Sequence, residues 1–419
     1  MTPINVLCIA IDGWHAGYVG AYGNTHLATP GVDRWAAASV VCDRAFGTAQ
    51  SESGTAIWDW PVADVSLAKS FAAAGYRTAL VTDDEEIASG DRAAGFDECV
   101  RVPYRPATRL AGAVEGTQLF RVFAALADAI ADATNDANAT GANPATSAET
   151  QRPFFICAHS RAMNATWDAP YALRRQFVDE DDPDPPRDVR FHSRRLADDV
   201  DPDELLGLRA AYAGQIAVLD ECLAALDDLL AETGLGQRTL VALVGVRGYP
   251  LGEHGVFGLS EAPLHEELLH VPWIVRFPAN RYATLRLPQL VCHADLSLTL
   301  LDACGLSEPA HPAAEGASLM PLIATEAGPW RDRICHRRGD EETIVTPAWR
   351  LRRITAPGQS PGERMQLYVK PDDRWEVNDV ASRCRDVAER LAAALQETHE
   401  AARRGESPRP LDDVLRDGL

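Results

Sequence analysis

Five short runs of apolar residues recur along the first two thirds of the chain, at 4–11, 77–82, 153–158, 239–246 and 271–277. Each is nearly continuous in apolar side chains, the pattern of a strand covered on both faces rather than of one with a wet side. The first run stops at Asp12. Between the runs the periodicity changes to that of helices. The clearest passes through Leu205, Leu208, Tyr212, Ile216, Leu219, Leu223, Leu226 and Leu230, whose spacings of three and four predict one apolar face turned to the core. Strands alternating with helices predict an α/β fold built on a large, mostly parallel sheet with helices on both sides.

Two stretches interrupt this pattern. Residues 132–151 are rich in Ala, Asn, Thr and Asp without apolar periodicity, and 179–203 include Asp179-Glu180-Asp181-Asp182-Pro183-Asp184-Pro185-Pro186. Both are expected as surface excursions from a main domain spanning 1–325, because prolines cannot pair into a central strand. Beyond that point the pattern predicts short strands at 343–346, 350–354 and 366–369 and a helix over 381–403. A small α+β subdomain at 326–405 and a tail at 406–419 follow.

Charge narrows the possible partners. Of 419 residues, 61 are acidic and 40 basic, a formal charge of -21, which repels phosphate backbones and anionic membrane surfaces. Neither nucleic acid nor membrane is an expected partner. Lys69 and Lys370 are the only lysines, so any lysine-dependent chemistry has two candidates. The nine cysteines are scattered without a Cys-x-x-Cys pair, which reads as reduced, mostly packed thiols. The opening apolar run has no basic segment ahead of it and is too short for a leader or a membrane helix, so a cytoplasmic location is expected.

Several motifs carry more specific information: Asp12 after the first strand, Gly20-Ala21-Tyr22-Gly23-Asn24, Thr29-Pro30-Gly31-Val32-Asp33-Arg34, Ala45-Phe46, Pro153-Phe154-Phe155 and Leu251-Gly252-Glu253-His254-Gly255. Glu266-Glu267 with Val271-Pro272, Ala294-Asp295-Leu296 with Thr299-Leu300-Leu301-Asp302, and the late Leu367-Tyr368 with Asn378 continue the series. In this order, nearly from end to end, the chain resembles the sulfatases of the alkaline phosphatase superfamily. The resemblance implies a large α/β domain with a smaller subdomain. It also implies sulfate-ester hydrolysis by a formylglycine, made from Cys or Ser in a Cys/Ser-x-Pro-x-Arg motif and held on calcium by acidic and amide side chains.

Carried over residue by residue, that machinery is largely replaced. The nucleophile segment falls on Ser51-Glu52-Ser53-Gly54-Thr55, which keeps the first hydroxyl but puts Ser53 for the proline and Thr55 for the arginine. The paired aspartates of the first strand become Asp12 and Gly13, and the later acidic and His/Asn positions become Val246 and Arg247. One of four metal positions survives. The oxyanion lysine falls on Leu259, and the histidine after the 153–158 strand falls on Asn164, with His159 nearby. Calcium takes six to eight oxygen ligands, many of them anionic, so no metal and no other cofactor are expected here.

These residues define the candidate site. Asp12 sits where ligands bind in open α/β sheets. Its expected partner is Arg247, whose guanidinium would stand in for the family's cation. Asn164 and His159 complete a candidate ligand-binding set for a small anionic or sulfated molecule, with Ser51 and His254 as candidate catalytic groups. His254 lies between glycines and reads equally as a loop residue. Trp14, Trp58, Trp60 and Trp167, near the same strand ends, are expected in the core. The expected function is a sulfatase-family protein that is catalytically degenerate and metal-free, with a residual anion-binding or structural role. The alternative is an ester hydrolase in which Ser51 attacks a sulfate or phosphate ester while Arg247 and His254 stabilise the oxyanion and leaving group.

Overall fold

The computed structural model describes residues 3–47, 67–91, 93–135, 152–190, 192–259, 262–306, 316–324, 330–355 and 364–418. In chain order the strands are β1 (Asn5–Asp12), β2 (Val40–Phe46), β3 (Arg77–Thr82), β4 (Glu98–Arg101), β5 (Phe154–Ser160), β6 (Arg194–Arg195) and β7 (Thr239–Arg247). They continue with β8 (Val256–Phe257), β9 (Trp273–Arg276), β10 (Arg286–Cys292), β11 (Ile334–Arg338), β12 (Glu341–Val345), β13 (Trp349–Ile354) and β14 (Arg364–Val369). Eight of them form one sheet in the order β10-β2-β9-β7-β1-β5-β3-β4. β9 runs antiparallel to both β2 and β7, and every other pairing in this sheet is parallel. The run at 271–277 therefore makes the sheet mixed.

β1 shows why continuous apolar runs became central strands. Leu7, Ile9 and Ile11 join the core on one side of the sheet, while Val6, Cys8 and Ala10 join that on the other, and all six are buried. A strand packed on both faces has no use for polar alternation. The long helix Pro202–Glu232 starts at Asp201, whose side chain accepts the Asp203 N–H. Of its eight periodic positions Leu205 is only half-buried, and the stretch 210–220 is buried all round rather than on one face. Neighbours explain this: the Asp220 carboxylate accepts the Gly31 and Val32 N–H groups at 3.0 and 2.8 Å, capping the helix Pro30–Ala37. The helix Gln118–Asn135 covers the same side of the sheet.

Several expectations change. The first four residues of the stretch 132–151 complete the helix Gln118–Asn135, and the rest lies outside the described residues. Within 179–203, Arg194–Arg195 pairs antiparallel with Val256–Phe257, and helix begins at Pro202. A second sheet, antiparallel in the order β11-β12-β13-β14, carries the helix Arg385–Arg404 on one face. Residues 406–418, expected as a tail, are tied to that layer: Leu411 and Leu415 are buried in its core and the Trp349 indole N–H donates to Val414 O at 2.9 Å. All nine cysteines are free thiols. Among the described residues no helix is long and apolar enough to cross a membrane.

Candidate ligand site at the carboxyl end of the central sheet

β5, β1 and β7 are adjacent and parallel, so their carboxyl ends open on one edge of the sheet, where ligands bind in α/β folds. The register there is irregular. Ile11 faces Gly245, but Asp12 faces Arg247, so one residue of β7 is skipped and Arg247 is brought opposite Asp12. Arg247 Nε donates to Asp12 Oδ1 at 2.8 Å and Nη2 donates to Oδ2 at 3.1 Å, a two-pronged contact between residues that are 8% and 2% exposed. Asn164, at the end of a turn that follows β5, donates from Nδ2 to the same Oδ2 at 2.9 Å. Both oxygens of the carboxylate are thus engaged by N–H donors.

The turn after Asp12 is specified by its surroundings. Gly13 has φ +75, and a Cβ there would meet the Met163 Cβ at 2.8 Å, so a second aspartate at this position would be both strained and crowded. The buried Tyr212 hydroxyl, on the long helix, donates to Gly13 O at 2.7 Å and accepts the His15 N–H at 3.0 Å, pinning the turn from below. Trp14 and Trp167 are buried in the core; the Trp167 indole donates to Met163 O.

His159 enters the group through β5 but not as a cation. It is buried, its Nδ1 lies 3.2 Å from Thr82 Oγ1, and burial pushes its pKa down to about 4 against the opposing pull of Asp12. At neutral pH it is a neutral imidazole. Ser51, Ser53, Thr55, Trp58 and Trp60 lie outside the described residues.

The structure ties His254 to a different group. Its loop turns through Gly252 and Gly255 at φ +101 and +72. Nδ1 lies 2.7 Å from Glu267 Oε1, Nε2 lies 3.2 Å from Glu376 O, and the ring stacks on His265 with centroids 3.6 Å apart. His265 bonds the Glu376 carboxylate, which also meets Arg350 Nε at 3.0 Å and Lys370 Nζ at 3.2 Å. Burial alone would lower the His254 pKa, but Glu267 outweighs it and the net direction is upward. For Glu376 burial pulls upward and is overcome by Arg350, His265 and Lys370, holding the carboxyl well below its usual range. His254, His265 and Glu267 bring three metal-capable atoms within 4.8 Å of one another. Each imidazole also has a carboxylate partner, His254 with Glu267 and His265 with Glu376, and Arg350 and Lys370 meet the second of these carboxylates.

With this geometry in place, the family can be stated. The sulfatase family model matches residues 4–306. The chain belongs to the sulfatase family. Through that family it lies within the alkaline phosphatase superfamily. The multifunctional alkaline phosphatase superfamily protein PehA of Trinickia caryophylli is 27% identical over 195 residues, and arylsulfatase K of Mus musculus 30% over 188. These matches cover 43% and 42% of this chain but only 37% and 33% of those proteins. Among solved structures, the phosphonate monoester hydrolase of Agrobacterium radiobacter superposes with a TM-score of 0.71 at 18% identity, over 96% of this chain and 95% of that one. BT4656, solved in complex with its substrate D-glucosamine-2-N,6-O-disulfate, superposes at 0.67 and 17% identity, over 96% and 98%.

Within this sulfatase-family fold the structure brings together Asp12, Arg247 and Asn164 by direct bonds and sets His159 beside them, while His254 belongs to the joint with the second sheet. Sequence reasoning missed Glu376, Arg350 and His265. The scarcity of lysine singled out Lys370, but nothing local to it signals a carboxylate that is a neighbour only after folding.

Proposed function

We propose that this sulfatase-family chain is a metal-free, non-hydrolytic member whose strand-end site binds a small anionic or sulfated ligand or serves the fold. The observation that carries the reading is the Arg247 guanidinium bonding both oxygens of Asp12. A divalent ion needs those oxygens as its ligands, and a guanidinium at bonding distance takes them while repelling the ion. Arg247 thus carries, as part of the chain, the positive charge that calcium provides in the family. Gly13 leaves no second carboxylate next to Asp12, and Leu259 offers no charge to a sulfate oxygen. Losing one oxyanion donor typically costs roughly 100 to 1,000-fold in rate, so losing the ion, the lysine and the nucleophile's arginine together leaves little turnover. A sulfated ligand is favoured because a structural neighbour holds a disulfated glucosamine, and the Asn164 amide and a neutral His159 offer hydrogen bonds without a fixed negative charge.

The test is elemental analysis of the purified protein, with assays on aryl sulfate and aryl phosphate esters and a titration with D-glucosamine 6-sulfate. The expected result is no stoichiometric calcium or zinc and no turnover above the uncatalysed rate. Stoichiometric metal, or turnover that Ser51→Ala abolishes, overturns the reading in favour of hydrolysis.

A further inference from the structure

A second concave site lies along the segment that leaves the carboxyl end of β4. It is a cleft of about 590 Å³ whose lining includes Arg105, Arg109, Arg121 and Asp168, a volume within the ordinary range for small-molecule sites. Prolines 103 and 106 keep this segment from continuing as strand, and a series of bonds holds it against the residues after β5. Tyr104 Oη lies 3.2 Å from Thr166 Oγ1, the Ala107 N–H donates to that same hydroxyl at 3.2 Å, and the Ala111 N–H donates to Asp168 O at 2.8 Å. The Arg161 guanidinium lies 5.0 Å from the centre of the Tyr104 ring. The walls are therefore anchored, a requirement for a site that binds without first paying to order itself.

Charge is what distinguishes the cleft. The chain has 61 acidic and 40 basic residues, and many of its arginines, Arg276, Arg331 and Arg350 among them, are paired with carboxylates. Among the described residues neither Arg105 nor Arg109 has an ion-pair partner, and both are exposed. Arg121 donates only to uncharged oxygens, Gln118 Oε1 at 3.3 Å and Gly116 O at 3.4 Å. Asp168 is the carboxylate of the lining; it is 4% exposed and one of its oxygens accepts the Gln118 N–H at 2.8 Å. The helix that starts at Gln118 is thus already capped by its own chain, and the positive character comes from the arginines. Three positive charges against one negative leave an excess that a single monoanion does not neutralise. The planar guanidinium fork can bond two oxygens of a tetrahedral phosphate or sulfate at once.

We propose that this cleft is a second ligand site, for a small molecule carrying two or more phosphate or sulfate groups. It is independent of the reading of Asp12 and Arg247, since none of its arginines belongs to that pair. The experiment is isothermal titration of the full chain with inorganic pyrophosphate, orthophosphate and sulfate at low and high sodium chloride. Pyrophosphate is expected to bind one to one, at least tenfold more tightly than either monomeric ion, with affinity falling as salt rises. Arg105→Ala with Arg109→Ala is expected to weaken it at least tenfold with an unchanged thermal midpoint, because both side chains are exposed. Arg383→Ala, an exposed arginine elsewhere, is expected to change it less than twofold. If pyrophosphate gives no saturable binding, if binding survives the double substitution, or if Arg383→Ala weakens it equally, the proposal fails. Tighter binding of sulfate than of orthophosphate marks the natural groups as sulfates, and the reverse order marks them as phosphates; either supports the site.

Discussion

Two of the molecule's buried charge clusters are assembled by different means. At the edge of the central sheet, Asp12 and Arg247 come from neighbouring parallel strands and meet because a single skipped residue aligns them. At the joint with the second sheet, Glu376 gathers Arg350 from β13, Lys370 from just beyond β14 and His265 from a loop of the main domain. The first is a pair that strand register alone can assemble. The second exists only once the two sheets have docked. In both, a buried carboxylate is held by cations of the chain itself.

Removing the centre of the larger network should have the largest effect. Glu376→Ala leaves Arg350 and Lys370 buried without their shared carboxylate, and about 5 kcal/mol of stability should disappear, at the upper end for one-sided removal of a buried ion partner. Urea unfolding checks this; a loss no larger than that of Arg247→Ala would mean that the two regions are equivalent after all. Arg247→Ala should cost about 3 to 5 kcal/mol by the same reasoning. The double change Asp12→Leu with Arg247→Met should recover most of it, and added calcium should not restore the single variant. A calcium-dependent rise in its melting temperature would show that Asp12 still acts as a ligand.

Acid should separate the regions next. His15, His159, His265, His270, His293 and His336 are pushed by burial down to about 3 or 4 from 6.5. A histidine whose folded pKa is depressed adds stability that is present above pH 6.5 and is lost as pH falls toward 4, because the unfolded chain takes up the protons first. His159 is one of these groups, and His159→Gln should flatten the acid limb of a stability curve, read as the change in urea midpoint between pH 7 and pH 4. Asp83 and His254 have the opposite sign. Burial lifts Asp83 to about 6 from 3.8, so its contribution is present at low pH and fades as pH rises through 6. The raised His254 likewise favours the folded state below its pKa. The smallest effect concerns the turn that presents Asp12. Tyr212→Phe removes the partner of Gly13 O and His15 N–H, at about 1 to 2 kcal/mol, without altering the Glu376 network; chemical denaturation with far-UV dichroism reads it.

Particular elements show what was legible before folding. β1, β3, β5 and β7 follow apolar runs to within two residues at either end, since strands buried on two faces leave a strong local signal. β2 escaped because Asp43 and Arg44 interrupt it; β10 carries Pro288 and lies at the sheet edge, and β4 occupies the other edge with exposed ends. Edge strands answer to fewer neighbours, and their patterns are weaker. The candidate site was legible in its parts. Asp12, Arg247 and Asn164 followed from aligning the motifs, but His254 was grouped with Ser51 because its contact with Glu376, 122 residues further on, cannot be read across from sequence.

By itself the sequence determined the buried strands, the long helix and the residue types at the aligned motif positions, such as Gly13 after Asp12, because apolar periodicity and residue identity are local properties. Only the tertiary structure decided which charges meet: that Arg247 holds both oxygens of Asp12, that His254 meets Glu267 and Glu376 at the joint, and that Arg105, Arg109 and Arg121 line one cleft with a single carboxylate, Asp168, among the described residues. A buried charge must be neutralised by whatever segment the fold places beside it, and that segment can come from anywhere in the chain.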